Sequence, residues 1–339
     1  MPKPKIRPPE PFHVHMEVSP KLTPILSNSL TPDQFRAGAA RFPGSDDGLE
    51  VTFGSDPDSL GDHLATCEVL VMAGPADLSA VVKKAPRLRW VQYTGTGIEG
   101  ILSGQVRPGV IVTNARGVQT PKALEYSLAA VLMLNNRFPE FFTNQRESRW
   151  RNCASTAVAG KAIVILGMGE LGAAAATMMK QFGLRVIGVS RSGRPHPSAD
   201  RVCVPGDLAA VLPTADFVLV TLPLTAETRG MIGRAELDLL PRHAGVINIG
   251  RGPVIDYDAL MDKLRKGELG GAILDVFYEE PLPANSPLWS TPNLIVTPHS
   301  SLMDPVNYGP RCFDIFFDNL RRYRNGQDLR NVIDVTRGY

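Results

Sequence analysis

Apolar, β-branched runs alternate with helix-forming stretches along most of the chain. Near the start, His13-Val14-His15-Met16-Glu17-Val18 alternates weakly and reads as an opening strand. Glu50-Val51-Thr52-Phe53, Val69-Leu70-Val71-Met72, Leu88-Arg89-Trp90-Val91-Gln92-Tyr93 and Val110-Ile111-Val112-Thr113 read as further strands. Helices are expected between them. One opens at Thr31-Pro32-Asp33, with threonine as N-cap and proline in the first turn, and others cover 58–67 and 75–84. Strands alternating with helices imply a small parallel α/β domain.

The pattern then changes scale. Thr120-Pro121 opens a helix to about Asn136 that is too apolar for one exposed face, so it is expected to pack on two sides. The polar stretch to Trp150 and the irregular 151–158 mark a crossing between domains. Ala162-Ile163-Val164-Ile165-Leu166 reads as a buried parallel strand and runs straight into Gly167-Met168-Gly169-Glu170-Leu171-Gly172. Helix formers fill 173–182, Gly183 supplies a stop, and Arg185-Val186-Ile187-Gly188-Val189 begins a second strand. This β-turn-α-β order is that of a dinucleotide cradle. Gly167 permits the tight turn, Gly169 lets a pyrophosphate approach the backbone, and Gly172 lets helix lie close on strand. Phe217-Val218-Leu219-Val220, Val246-Ile247-Asn248-Ile249, Ala272-Ile273-Leu274-Asp275 and Leu294-Ile295-Val296-Thr297 continue the sheet. An amphipathic helix over 311–325 carries Phe313, Phe316, Phe317 and Leu320 at helical spacing, as a helix packed on the first domain would. The expected architecture is therefore α/β with two doubly wound parallel-sheet domains. A Rossmann dinucleotide-binding domain over 118–305 is inserted in a flavodoxin-like substrate domain formed by 1–117 and 306–339.

Composition narrows the partners. With 339 residues the chain is long enough for two cores, and 43% hydrophobic with 21% charged residues is an ordinary globular balance. A net charge of +2 without a polybasic stripe excludes a nucleic-acid partner, and no apolar run is long enough to span a membrane. The opening MPKPKIRPPEPF reads as a ragged tail without the apolar segment of a signal peptide, so a cytoplasmic location is expected. Cys67, Cys153, Cys203 and Cys312 lack CxxC spacing and read as buried free thiols. His13 and His15 share a strand face but no third ligand is near, so no metal is expected.

Three stretches carry candidate chemistry. Where a nicotinamide site usually has an acidic residue for the ribose, the chain has Ser190, Arg191 and Ser192. A guanidinium grips a 2′-phosphate, so NADP(H) is preferred, with NAD(H) as the alternative. Thr96 and Gly97, past the strand that ends at Tyr93, form either a small anion nest for a substrate carboxylate or a plain glycine-rich turn. Arg251, Glu280 and His299 each stand just past a strand of the second domain and should emerge on one edge of its sheet. Arginine can clamp a carboxylate, histidine can shuttle a proton near neutral pH, and a carboxylate can orient the ring. Glu279 is a rival for Glu280.

Taken in order, the glycine-rich turn 167–172, Gly250-Arg251-Gly252, Asp275 to Leu282 and Thr297-Pro298-His299 resemble the D-isomer-specific 2-hydroxyacid dehydrogenase family. The resemblance implies that Arg251 binds substrate, Glu280 partners the histidine and His299 is the general acid/base. It also implies Thr96 and Gly97 at the substrate carboxylate, and Gly167, Gly169, Glu170, Leu171, Gly172, Leu222, Pro223, Ile249, Gly250 and Ser301 along the cofactor, with Asp275 at the nicotinamide amide. Ser286-Pro287-Leu288-Trp289, Ser190-Arg191-Ser192 and Thr336-Arg337-Gly338-Tyr339 further resemble the NADPH-dependent glyoxylate/hydroxypyruvate reductase branch. Departures from the family pattern are Glu170 at a commonly basic position, Leu124 before Glu125, and Ser300-Ser301 after the histidine. The implied protein is a homodimer that reduces glyoxylate, hydroxypyruvate or a similar small 2-oxo acid. Two alternatives are an NAD-dependent dehydrogenase of another 2-hydroxy acid and a non-catalytic dinucleotide-sensing protein.

Overall fold

The computed structural model describes residues 12–17, 30–54, 61–72, 78–96 and 106–333. All named strand pairs in it are parallel. Parallel neighbours cannot be joined by tight turns, so the helix formers between apolar runs carry the chain back. One unit begins with β1 (Phe12–Glu17), α1 (Pro32–Arg41), β2 (Leu49–Gly54), α2 (His63–Thr66), β3 (Val69–Met72), α3 (Leu78–Lys84), β4 (Trp90–Tyr93) and β5 (Ile111–Thr113). Its sheet order is β2-β1-β3-β4-β5. Thr31 caps α1 by accepting the Gln34 amide at 3.2 Å.

The other unit, residues 119–303, holds α4 (Thr120–Asn135), α5 (Phe138–Arg146), β6 (Ala162–Leu166), α6 (Glu170–Gln181), β7 (Arg185–Val189), β8 (Arg201–Cys203), α7 (Leu208–Val211), β9 (Phe217–Val220), α8 (Arg234–Asp238), β10 (Gly245–Asn248), α9 (Tyr257–Arg265), β11 (Gly271–Leu274) and β12 (Leu294–Val296). The order β12-β11-β10-β9-β6-β7-β8 is that of a Rossmann sheet with one added strand, and it reverses between β6 and β9. Side chains of one strand alternate between two cores. Ile163 and Ile165 of β6 join α4 and α6, while Val164 and Leu166 join α7, α8 and α9.

After residue 303 the chain returns to the first unit as α10 (Tyr308–Arg324). Phe313, Phe316, Phe317 and Leu320 are fully buried there, and Phe316 stacks on Trp90 with ring centroids 5.5 Å apart. The aromatic spacing of this helix therefore serves a core.

Some expectations need correction. The polar stretch before Trp150 contains α5, whose inward face is made of Pro139, Glu140, Thr143 and Asn144 instead of a hydrophobic stripe. Thr143 accepts the Asn293 amide at 2.8 Å, so hydrogen bonding replaces apolar burial as the anchor. The Pro-rich loop beyond Arg194 hides β8, a short edge strand with only Cys203 buried. Cys153 is half-buried, unlike the other three free cysteines, because its thiol sits in a polar setting 3.1 Å from the Glu140 carboxylate. Gly97, the opening tail and 336–339 lie outside the described residues, as do the side chains of His13 and His15. Among the described residues no helix is long and apolar enough to cross a membrane.

Candidate active site

Strand register brings the candidate residues to one edge. Val189, Leu166, Val220, Asn248, Leu274 and Val296 are successive partners across the larger sheet, forming one row at its carboxyl end. The next residue on each strand therefore begins a turn on the same side: Ser190, Gly167, Thr221, Ile249, Asp275 and Thr297. This is the side on which open parallel sheets bind ligands.

At the switch point, steric limits shape the turn between β6 and α6. Gly167 has φ +103°, a region that side chains avoid. A Cβ on Gly172 would lie 1.9 Å from the Gly167 carbonyl oxygen. At Gly169 the space is open: beyond its own chain neighbours, no atom of the described residues lies within 4 Å of such a Cβ. The first turn of α6 has no side-chain cap, so its amides remain available to phosphate oxygens. These features fit a dinucleotide pyrophosphate. Glu170 is exposed at the start of α6, where its charge complements the helix dipole. Leu171 follows it half-buried. Thr221, which motif reading missed, ties the turn to β9 by donating to the Gly167 carbonyl at 2.9 Å.

Past β7, Ser190 and Gly193 close a turn, with the Ser190 hydroxyl accepting the Gly193 amide at 3.2 Å. Arg191 and Ser192 are exposed on it. Glu227, also absent from the motif reading, lies on the loop after β9 within reach of the Arg191 charge. Its carboxyl is held below the usual range by hydrogen bonds from Thr225 and its own backbone, with help from the Arg191 charge. Leu222 and Pro223 lie at the start of the same loop.

Two glycines frame Arg251. A Cβ on Gly250 would meet the Leu222 carbonyl at 2.6 Å, and one on Gly252 the Phe277 backbone at 2.3 Å. The turns after β9, β10 and β11 therefore pack backbone to backbone. Ile249 is buried at the start of the middle turn. Asn248 holds that turn, accepting the Gly250 amide and donating to the Arg251 carbonyl, each at 3.0 Å. The half-buried Arg251 guanidinium donates to the Gly250 carbonyl at 2.8 Å.

His299 Nδ1 lies 2.6 Å from Glu280 Oε2, while Glu280 Oε1 accepts the Phe277 amide at 2.8 Å. Glu280, rather than Glu279, thus meets the imidazole. A carboxylate only accepts, so Nδ1 carries the hydrogen and Nε2 is left for proton transfer. Both side chains are partly open to solvent. Asp275 is fully buried. Its Oδ1 accepts the Thr297 hydroxyl at 2.6 Å and the Ser300 amide at 2.9 Å, and its Oδ2 accepts the Ser301 amide at 3.0 Å. Among the described residues the buried Ser301 hydroxyl has no hydrogen-bond partner. Thr96 belongs to the other unit, where its carbonyl accepts from Asn114 at 3.1 Å.

A dinucleotide cradle in a Rossmann sheet, with a histidine–carboxylate pair on the same edge, defines an NAD(P)-dependent oxidoreductase. Comparison with known proteins places it further. The family model described as D-isomer specific 2-hydroxyacid dehydrogenase, NAD binding domain, matches residues 128–301. Glyoxylate/hydroxypyruvate reductase B of Pectobacterium atrosepticum is 34% identical, over 80% of this chain and 88% of its own length. The solved D-isomer specific 2-hydroxyacid dehydrogenase of Xanthobacter autotrophicus, in complex with NADPH and MES, is 31% identical with a TM-score of 0.81. That match covers 98% of this chain and 100% of the other. An NADPH-dependent glyoxylate/hydroxypyruvate reductase of Sinorhizobium meliloti, in complex with NADP and sulfate, gives 28% and 0.78 over 97% and 100%. The chain belongs to the D-isomer specific 2-hydroxyacid dehydrogenase family, close to its glyoxylate/hydroxypyruvate reductase branch. It is an NAD(P)-dependent enzyme of small 2-oxo and 2-hydroxy acids.

Proposed function

We propose that the protein reduces glyoxylate, hydroxypyruvate or a similar small 2-oxo acid to the D-2-hydroxy acid, with NADPH as preferred reductant. The observation that carries this reading is the 2.6 Å pair of His299 and Glu280, on the edge that also presents Arg251 and the glycine turn. When bound, the reduced nicotinamide supplies the hydride that reduces the carbonyl carbon. Arg251 takes the substrate carboxylate in a forked, fixed-charge contact and polarises the carbonyl. His299 Nε2 gives its proton to the carbonyl oxygen as that oxygen becomes an alcohol, and Glu280 keeps the ring oriented and stabilises its charged form. Thr96 and Gly97 are proposed as further carboxylate contacts.

Gly167, Gly169, Glu170, Leu171 and Gly172 are assigned to the pyrophosphate. Ser190, Arg191 and Ser192 take the 2′-phosphate, and Leu222, Pro223, Ile249, Gly250 and Ser301 lie along the remaining cofactor. Solved relatives that hold NADPH or NADP favour this cofactor choice. We further assign residues 118–305 to the dinucleotide and the rest to the substrate, reading the strand order of the smaller sheet as flavodoxin-like. A cytoplasmic homodimer completes the proposal. The test is a panel of 2-oxo acids assayed with NADPH and NADH by loss of reduced-nicotinamide absorbance. Turnover of glyoxylate or hydroxypyruvate with NADPH is expected to lead the panel, and no turnover of any 2-oxo acid with either cofactor would overturn the reading.

A further inference from the structure

The turn that carries His299 is unusual. His299 has φ +50°, a left-handed backbone that non-glycine residues seldom adopt. Its amide donates to the Thr297 carbonyl only two residues back, at 3.0 Å. Such a turn persists only where its surroundings impose it. The donors that impose it here all converge on Asp275: the Thr297 hydroxyl, the Ser300 amide and the Ser301 amide. No cation shares this fully buried carboxylate among its described hydrogen bonds, so those three donors are what make its burial tolerable. Side chain and turn are therefore interdependent.

One more group completes the arrangement. The Tyr126 hydroxyl of α4 lies 2.6 Å from Thr297 Oγ1. Thr297 has a single proton, and the Asp275 carboxylate takes it. The threonine oxygen must then accept from Tyr126, whose proton ends a one-way chain of tyrosine to threonine to aspartate. Burial pushes the Tyr126 phenol up to about 12, against the Thr297 hydrogen bond and with the nearby Asp275 charge, so it remains a donor throughout the working range.

We propose that Tyr126 and Asp275 are positioning residues for the reaction: through Thr297 they lock the left-handed turn that aims the His299 imidazole at Glu280 and the substrate. The proposal rests on His299 as the proton donor. It gives Asp275 a role distinct from the nicotinamide contact that the family resemblance implies, and it brings in Tyr126, which no motif marks. Neither residue touches the reacting atoms; both act through the geometry of the histidine.

The experiment is a double-mutant cycle of Tyr126→Phe with His299→Ala in the full-length enzyme, following kcat, KM and NADPH affinity by nucleotide fluorescence. Tyr126→Phe keeps the ring and removes only the terminal donor. It is expected to lower kcat about tenfold, because small misplacement of a catalytic group costs rate steeply. NADPH affinity should stay within about twofold, and in the His299→Ala background the same change should cost nothing further, because the group it positions is gone. Asp275→Asn replaces one acceptor with a donor facing the Ser300 or Ser301 amide and should lower kcat more than Tyr126→Phe; thermal melting shows whether it folds. The proposal is overturned if Tyr126→Phe leaves kcat within twofold, if it costs as much with His299 absent as present, or if NADPH affinity falls in step with kcat. Near-parental turnover of His299→Ala alone would instead remove the proton-donor reading itself.

Discussion

Two turns on the same sheet edge obtain abnormal backbone by opposite means. The glycine turn between β6 and α6 does so by removing side chains: Gly167 takes φ +103°, and Gly172 has no room for a Cβ. The histidine turn after β12 keeps a large side chain at φ +50° and uses hydrogen bonds to one buried carboxylate to hold it. The first must admit a phosphate close to the main chain, so missing atoms are its function. The second must present an imidazole, so strain is accepted and supported from outside. The glycine turn is thus shaped by its own sterics and steadied by one outside hydroxyl, that of Thr221, whereas the histidine turn draws its support from a carboxylate elsewhere in the chain.

This contrast can be broken from either end. The largest effect is expected at the glycine turn, where Gly172→Val drives atoms into the Gly167 carbonyl. It should destabilise the domain by about 3 kcal/mol or more and abolish nucleotide binding, seen as a lowered melting temperature and loss of nucleotide fluorescence quenching. A variant that binds NADPH normally would mean that the missing side chain at Gly172 does not shape the turn. At the other turn, His299→Gly relieves the backbone while deleting the proposed proton donor. Turnover should fall by about 10²-fold or more while stability changes by less than about 1 kcal/mol. Strong destabilisation there would show that the ring, rather than Asp275, holds the turn. The smallest effect belongs to the exposed turn after β7, proposed above for the 2′-phosphate, where neither device operates. Arg191→Asp should move the kcat/KM ratio of NADPH to NADH by about tenfold or more toward NADH, as a solvent-exposed, charge-assisted guanidinium–phosphate pair is worth about 1–3 kcal/mol. An unchanged ratio would assign the 2′-phosphate to other groups.

The two turns also differ in how far motif reading reaches. Gly167, Gly169 and Gly172 are visible because a strand run precedes them and a helix follows, all within one local stretch. Arg251, Glu280 and His299 are visible more weakly, as charged or titratable residues just past apolar runs. Position past a strand does not choose between Glu279 and Glu280; the family resemblance implies Glu280, and in the structure Glu280 accepts the Phe277 amide and meets the His299 ring. Asn248 leaves a faint signal as a polar residue ending a buried strand. Tyr126 leaves none, since on α4 it reads as one more apolar helix position. Likewise α5 escaped a search for hydrophobic stripes because its inner face is polar.

What the amino-acid order determined by itself was the strand–turn–helix rhythm, the dinucleotide cradle and the set of charged residues at strand ends. Those depend on sterics and periodicity among near neighbours, which are written consecutively along the chain. Only the tertiary structure decided that Asp275 serves the histidine turn and that Tyr126 ends the chain of donors. A hydrogen bond needs two groups within about 3 Å in a fixed orientation. For residues as far apart in sequence as Tyr126 and Thr297, only the register of parallel strands and the seating of a helix on them supply that.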